Sequence, residues 1–252
     1  MRPAIILGAY PVNDYALGLA QYLFDLYKEH LPEAVLYIGI NTPSYHEQLV
    51  SMLKGYPFEV HHALTPEHLI IRSDASAYQT ALRLYKEHNK EYDLLWFQHF
   101  KGATHEATRT MAKDRLREQI ENRVVIEKTF KNNPLLGLYA HTGWGFNHSM
   151  MDPGNSEDYT SHYFDFKYSL LKITALYSIF VARAAAVKSF VDNCSPSFFT
   201  EKLGSVYFFE NDFSQIIFRQ GYTPYLEEDE YCPRQHQDKI IEDWKIQNNI
   251  KG

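Results

Sequence analysis

Cysteine is nearly absent. Two thiols, Cys194 and Cys232, stand far apart in 252 residues, with no Cys-x-x-Cys spacing. That excludes a disulfide framework and points to a reducing compartment. A basic excess is absent too. Twenty-five Lys and Arg against 31 Asp and Glu leave a formal net charge of −6. A general nucleic-acid binder is thereby excluded, and only a local basic patch facing phosphates stays open. Long apolar runs are also missing. The most apolar stretch, 173–191, is interrupted by Arg183 and Lys188 and falls short of a membrane span. The opening MRPAIILGAY is too short, and too polar beyond Leu7, for a signal peptide. The expectation is a soluble, cytoplasmic protein without a transmembrane segment, peripheral membrane association being left open.

Several motifs are missing as well. No Gly-x-x-x-x-Gly-Lys-Ser/Thr occurs, so there is no P-loop. No Gly-x-Gly-x-x-Gly follows the first apolar run, so NAD or FAD is not indicated. No Gly-x-Ser-x-Gly elbow is present.

What is present is aromatic. Tyr, Phe and Trp make up 15% of the chain. Tyrosine-rich surfaces suit sugars, because each ring offers an apolar face and a polar tip; biased codon usage is the competing explanation. Apolar runs at Ala4–Leu7 and Ala34–Ile40, and a third at Phe58–Leu64, alternate with helical spacing. In the first helix that spacing falls on Leu19, Leu23, Leu26 and Tyr27, with Asn13 or Asp14 as cap. Ser76–Lys90 reads as a helix, and the strand YDLLWFQHF follows. A long helix is expected over 106–131, with Ala112, Leu116, Ile120 and Val124 on its core face. Leu135–His141 and Leu176–Val181 read as further strands. The alternation implies parallel strands with crossover helices. Residues 142–167 lack any period and read as a long loop.

The stretch FQHFKGATH, 97–105, carries the clearest chemistry. A strand ends there at Gly102, which admits close backbone approach. Lys101 supplies a point charge suited to phosphate. The Thr104 hydroxyl and the start of the next helix add donors and partial positive charge. Together they suggest an anion site, most simply for a diphosphate, with His99 and His105 as further donors. A surface turn with a capping threonine and a solvated lysine is the alternative. Gly8-Ala9-Tyr10, after the first strand, is compatible with a stacked base or with a plain turn. Trp144 is a stacking platform for a sugar or a loop anchor. Glu210 and Asp212 follow an apolar run and offer a general base for an acceptor hydroxyl, or Asp212 is a helix cap. His141, His148 and His162, with Asp152 and Asp158, could be drawn into a metal site, but ligand spacings are missing.

On these residues the chain resembles glycosyltransferases of the rhamnan-synthesis type, from bacterial polysaccharide biosynthesis. The resemblance covers roughly residues 70 to 225. It rests on Tyr92-Asp93, the apolar strand 94–97 and His99-Phe100-Lys101-Gly102-Ala103-Thr104. Leu135-Leu136-Gly137, a strand ending in Ala182-Arg183, and Phe208-Phe209-Glu210 add to it. The family's long-helix tryptophan and arginine are unmatched, Arg109, Arg115 and Arg117 being the candidates for the latter. Tyr177-Ser178-Ile179 stands where the family has Ser-Gly-Asn. The resemblance implies an α/β, GT-A-like, Rossmann-related mixed sheet flanked by helices. It implies a single transferase domain with a nucleotide-binding half (1–104), an acceptor half (105–226) and a C-terminal tail (227–252). The ligands would be a nucleotide-sugar donor and a glycan or other hydroxyl acceptor. Gly8, Ala9, Tyr10, Asp74, Lys101, Gly102 and Thr104 would hold the nucleotide, and Trp144 and Arg183 the substrate. His99, Glu210 and Asp212 would be catalytic. No Asp-x-Asp occurs, so no metal ligand is assigned and a divalent metal stays open. A non-catalytic nucleotide- or glycan-binding protein on the same fold is the other reading.

Overall fold

Seven strands in one sheet organise the chain. The structure is a computed structural model that describes residues 1–71, 74–100, 106–140, 159–171, 173, 179–205, 208–226 and 234–250. The first half alternates strictly: β1 (Pro3–Ala9), α1 (Asp14–His30), β2 (Val35–Ile40), α2 (His46–Leu53), β3 (Val60–Leu64), α3 (Ala75–His88) and β4 (Leu94–His99). The second half contains α4 (Arg109–Glu121), α5 (Arg123–Asn132), β5 (Leu136–Ala140), β6 (Phe180–Arg183), α6 (Ala184–Asn193), α7 (Ser197–Thr200), α8 (Phe213–Phe218), β7 (Thr223–Leu226) and α9 (Arg234–Gln247). The strand order is β3-β2-β1-β4-β6-β5-β7. All pairings are parallel except those of β6, which runs antiparallel to both β4 and β5. This is the expected α/β fold, a GT-A-like, Rossmann-related mixed sheet flanked by helices.

β1, β2 and β4 are buried along their whole length. Both sheet faces are covered, which is why these strands read as continuous apolar runs rather than alternating ones. One core, with Ile6, Tyr37, Phe97 and Phe180, lies under α3, α6 and α8. The other, with Ile5, Leu7, Trp96 and Val181, lies under α1 and α4. Leu19, Leu23, Leu26 and Tyr27 are all buried. Asn13 caps α1, its side-chain oxygen accepting from the Ala16 N–H at 2.9 Å.

The long helix expected over 106–131 is two helices, broken at Asn122. Ala112, Leu116 and Ile120 are buried as the spacing predicts, but Val124 is 77% exposed. The break resets the helical phase, and Ile126 and Phe130 take over the buried face. Residues 176–178 of the strand expected at Leu176–Val181 lie outside the described residues; β6 begins at Phe180. Of the apolar run before Glu210, residues 206 and 207 lie outside the described residues. Residues Phe208–Asp212 form a π-helical turn. The C-terminal segment carries α9, whose Trp244 is buried and donates its indole N–H to the Ser169 carbonyl at 3.0 Å. Cys194 is buried and free, its thiol pushed up to about 11 by desolvation; Cys232 lies outside the described residues. Among the described residues no helix is long and apolar enough to cross a membrane.

Candidate functional site

The chain runs from β1 outward to β2 and β3, then crosses back to β4 on the other side of β1. The strand order therefore reverses between β1 and β4. In open parallel sheets, the crevice outside the carboxyl ends of such a strand pair is where ligands bind.

The residues that meet there are specific. Gly8 and His99 are cross-strand partners at the ends of β1 and β4. The Phe100 N–H donates to the Gly8 carbonyl at 3.3 Å, extending the pairing one residue past β4. A side chain at Gly8 would lie 3.5 Å from both the His99 Cβ and the Asp74 carbonyl. Glycine keeps that space open at the head of the crevice. Tyr10, just beyond β1, is 38% exposed. At the end of β2, Asn41 is buried and donates its N–H to the Ala9 carbonyl at 2.9 Å. Ser76 of α3 donates its hydroxyl to the Asn41 side-chain oxygen, also at 2.9 Å.

Asp74 stands at the N-terminus of α3 but makes no side-chain capping bond. Its Oδ2 instead lies 3.3 Å from the His99 Nδ1. That oxygen is buried without a hydrogen bond among the described residues. The helix dipole favours a carboxylate here. His99 itself is only 4% exposed. A carboxylate facing a ring nitrogen at this distance without a hydrogen bond acts on the ring electrostatically.

Beneath His99, the buried Gln98 links the helices behind β4. It accepts from the Tyr27 hydroxyl at 2.6 Å and donates to the Gln119 side-chain oxygen at 2.9 Å. This joins α1 and α4 to the strand that carries the site. At the start of α4, the Arg109 guanidinium lies 4.1 Å above the Tyr15 ring. Arg115 and Arg117, further along α4, pair with Glu118, Asp114 and Glu121. Arg109 is paired as well, with Glu106 at 3.2 Å; of the three arginines it differs in standing at the first residue of α4, on the side of the carboxyl end of β4.

The remaining expected site residues divide into three groups. Lys101, Gly102, Thr104, His105, Trp144, His141, His148, Asp152 and Asp158 lie outside the described residues. The π-helical turn holding Glu210 and Asp212 packs close by. The ring of Phe209 is 4.9 Å from that of Tyr78, which in turn is 6.1 Å from His99. Asp212 precedes α8 without a side-chain capping bond. Arg183 goes elsewhere. It pairs with Leu94, at the opposite end of β4 from His99. Its guanidinium donates to the carbonyls of Leu136, Phe130 and Asn133 at 2.7, 3.2 and 2.9 Å. These are carbonyls at and beyond the end of α5, where a cation and its donors are favoured. Arg183→Met should therefore cost about 2–3 kcal/mol of stability in urea titrations, from charged hydrogen bonds lost. Ligand affinity at the crevice should stay unchanged.

Asn41, Ser76 and the Asp74–His99 contact had no local signal in the sequence. They come from three separate segments, the end of β2, the start of α3 and the end of β4, that only the sheet order brings together.

No family model matches the chain, and no curated protein matches it. Among solved structures it is similar to the crystal structure of 4-diphosphocytidyl-2C-methyl-D-erythritolsynthase from Anaerococcus prevotii DSM 20548. The identity is 9% over 98% of this chain and 96% of that one, with a TM-score of 0.37.

Proposed function

We propose that the chain is a nucleotide-sugar-dependent glycosyltransferase, similar in chemistry to the rhamnan-synthesis type, acting in surface polysaccharide synthesis. The observation that carries this reading is the convergence of Gly8, Asp74 and His99 at the strand-order reversal, immediately before the segment Lys101–Thr104. Residues 1–104 hold the nucleotide and residues 105–226 the acceptor. The exposed Tyr10 ring stacks on the base. His99, beside Asp74, steadies the diphosphate together with Lys101, the Gly102 backbone and Thr104, and Arg109 adds charge at the mouth.

Transfer is a displacement at the anomeric carbon. The acceptor oxygen forms a bond to that carbon while the bond to the diphosphate oxygen breaks. The acceptor proton passes to Glu210 or Asp212, and the nucleoside diphosphate leaves with the electron pair. Fixed donors supply the charge stabilisation at the leaving group. Trp144 offers its face to the acceptor sugar.

The test is a thermal-shift screen against UDP-, GDP-, CMP- and dTDP-sugars and S-adenosylmethionine, followed by donor-consumption assays. Ligand at 100 times its Kd stabilises by about 2.7 kcal/mol, or roughly 5–10 °C for a chain of this size. One nucleotide-sugar class should give that shift and be consumed when acceptor is supplied. A shift with S-adenosylmethionine alone, or with none of the set, would sink the proposal. A shift without donor consumption supports the second reading, a non-catalytic nucleotide- or glycan-binding protein. Arg183, sequestered against α5, favours that reading because it removes one residue expected at the acceptor.

A further inference from the structure

At the other end of the sheet from the crevice, three potential ligands converge. Glu59 immediately precedes the edge strand β3, His61 lies within it, and His88 closes α3. One ligand atom from each lies within 4.8 Å of the others. The His61 Nε2 is 3.1 Å and the His88 Nε2 3.4 Å from the same Glu59 oxygen, Oε1. We propose that Glu59, His61 and His88 bind a divalent transition-metal ion, zinc by donor set, which ties the edge strand β3 to the end of α3.

The distances fit the ion. Zinc bonds of about 2.0–2.1 Å in a tetrahedron place neighbouring ligand atoms roughly 3.3 Å apart. Two imidazoles and a carboxylate are a set that zinc accepts, leaving a fourth position for water.

The second layer is also in place. The Tyr37 hydroxyl lies 2.7 Å from the His88 Nδ1 and 2.8 Å from the Tyr92 hydroxyl. With Tyr37 donating to Tyr92, it accepts from His88 Nδ1–H, and Nε2 keeps its lone pair toward Glu59. Such a partner on the outer nitrogen orients metal-binding histidines. Tyr37 also stacks on its cross-strand partner His61, the rings 5.3 Å apart.

Lys90 is the competitor. Its ammonium lies 2.6 and 2.9 Å from the two Glu59 oxygens. It is a long, half-exposed side chain that can swing into water when a divalent ion arrives.

The test is calorimetric titration of Zn²⁺ into the chelator-treated full chain, without a polyhistidine tag. Absorption spectra with Co²⁺ report the coordination geometry. Wild type should bind one Zn²⁺ that His61→Gln, His88→Gln and Glu59→Gln each weaken at least about 10-fold. Tyr37→Phe should weaken it less, and Lys90→Met should tighten it several-fold by removing the rival cation. His46→Gln and His62→Gln are the controls. Those two rings face one another 6.1 Å apart, away from the cluster, and their loss should leave the affinity unchanged. Glu59 is 45% exposed at its side chain, so Glu59→Gln keeps the test alive if a histidine variant fails to fold. The proposal falls if wild type takes up no Zn²⁺. It falls equally if Glu59→Gln binds as tightly as wild type, or if Lys90→Met loses the site. A Co²⁺ spectrum of purely octahedral type would overturn the tetrahedral assignment.

Discussion

Gly39→Ala should lower stability by about 3 kcal/mol or more, the upper part of the range for overpacked cores. By the usual scaling the thermal midpoint should fall by roughly 6–12 °C. The cause is the approach of α3 to β2. α3 presents a face of small residues, Ala75, Ser76, Ala77, Thr80 and Ala81, all buried. It settles so close to the sheet that a Cβ on Gly39 would collide with the Ala77 backbone carbonyl, with the Thr80 Cβ 3.0 Å away. A backbone carbonyl cannot rotate aside as a long side chain can, so the whole helix must move. Asp74 sits one turn before Ala77 on the same helix end, so its contact with His99 should loosen too. The same chemical change at Gly18 has the opposite sign. That residue lies within α1 and nothing approaches its added Cβ within 4 Å. Gly18→Ala should stabilise by about 0.5–1 kcal/mol, since glycine carries the entropy cost in a helix. Paired thermal melts of the two variants check both signs at once. Equal effects, or a neutral Gly39→Ala, would mean that α3 does not lie where it is described.

How much of this was legible beforehand depends on the range of the interaction. Continuous apolar runs located β1, β2 and β4, because burial on both faces leaves no alternation to read. The core stripe of α1 was readable from Leu19 to Tyr27. The phase of α5 was not: one Asn at position 122 turned Val124 outward, and no spacing rule signals a break between two good helices. The direction of β6 was hidden as well, since an antiparallel strand inside a parallel sheet has the same local composition. Trp244 gave a buried anchor within an otherwise charged segment, whose amphipathic helix α9 becomes visible only with its partner surface. Lys101 and its neighbours were marked by residue type, and Gly8 by its place after an apolar run. Asp74 meets His99 across 25 positions, and Glu59 and His61 meet His88 across more, so no motif of fixed length contains either constellation. Arg183 shows the converse. Its motif suggested substrate, while its carbonyl partners tie it to the end of α5.

Lys101→Ala should reduce sugar transfer by about 100- to 1000-fold, the scale of removing one preorganised charge-stabilising donor, and leave the fold intact. The described flanks give the reason. β4 ends at His99, and Phe100 is still held to the Gly8 carbonyl. The chain therefore leaves the sheet at the crevice, and Lys101 is the next residue. Its ammonium is the one full positive charge in the Lys-Gly-Ala-Thr segment, and a departing diphosphate carries two or more negative charges. A solvated lysine predicts a stability change of no more than about 0.5 kcal/mol. His99→Gln is the informative partner variant. His99 is buried against Asp74, so its loss should lower both the thermal midpoint and turnover, whereas Lys101→Ala lowers turnover alone. Donor-consumption rates and melting curves on the same preparations separate the two patterns. If Lys101→Ala transfers sugar at the wild-type rate, the diphosphate does not rest on this segment. The leaving-group charge would then have to be met by Arg109, across the crevice over Tyr15, and Arg109→Ala would show the loss instead.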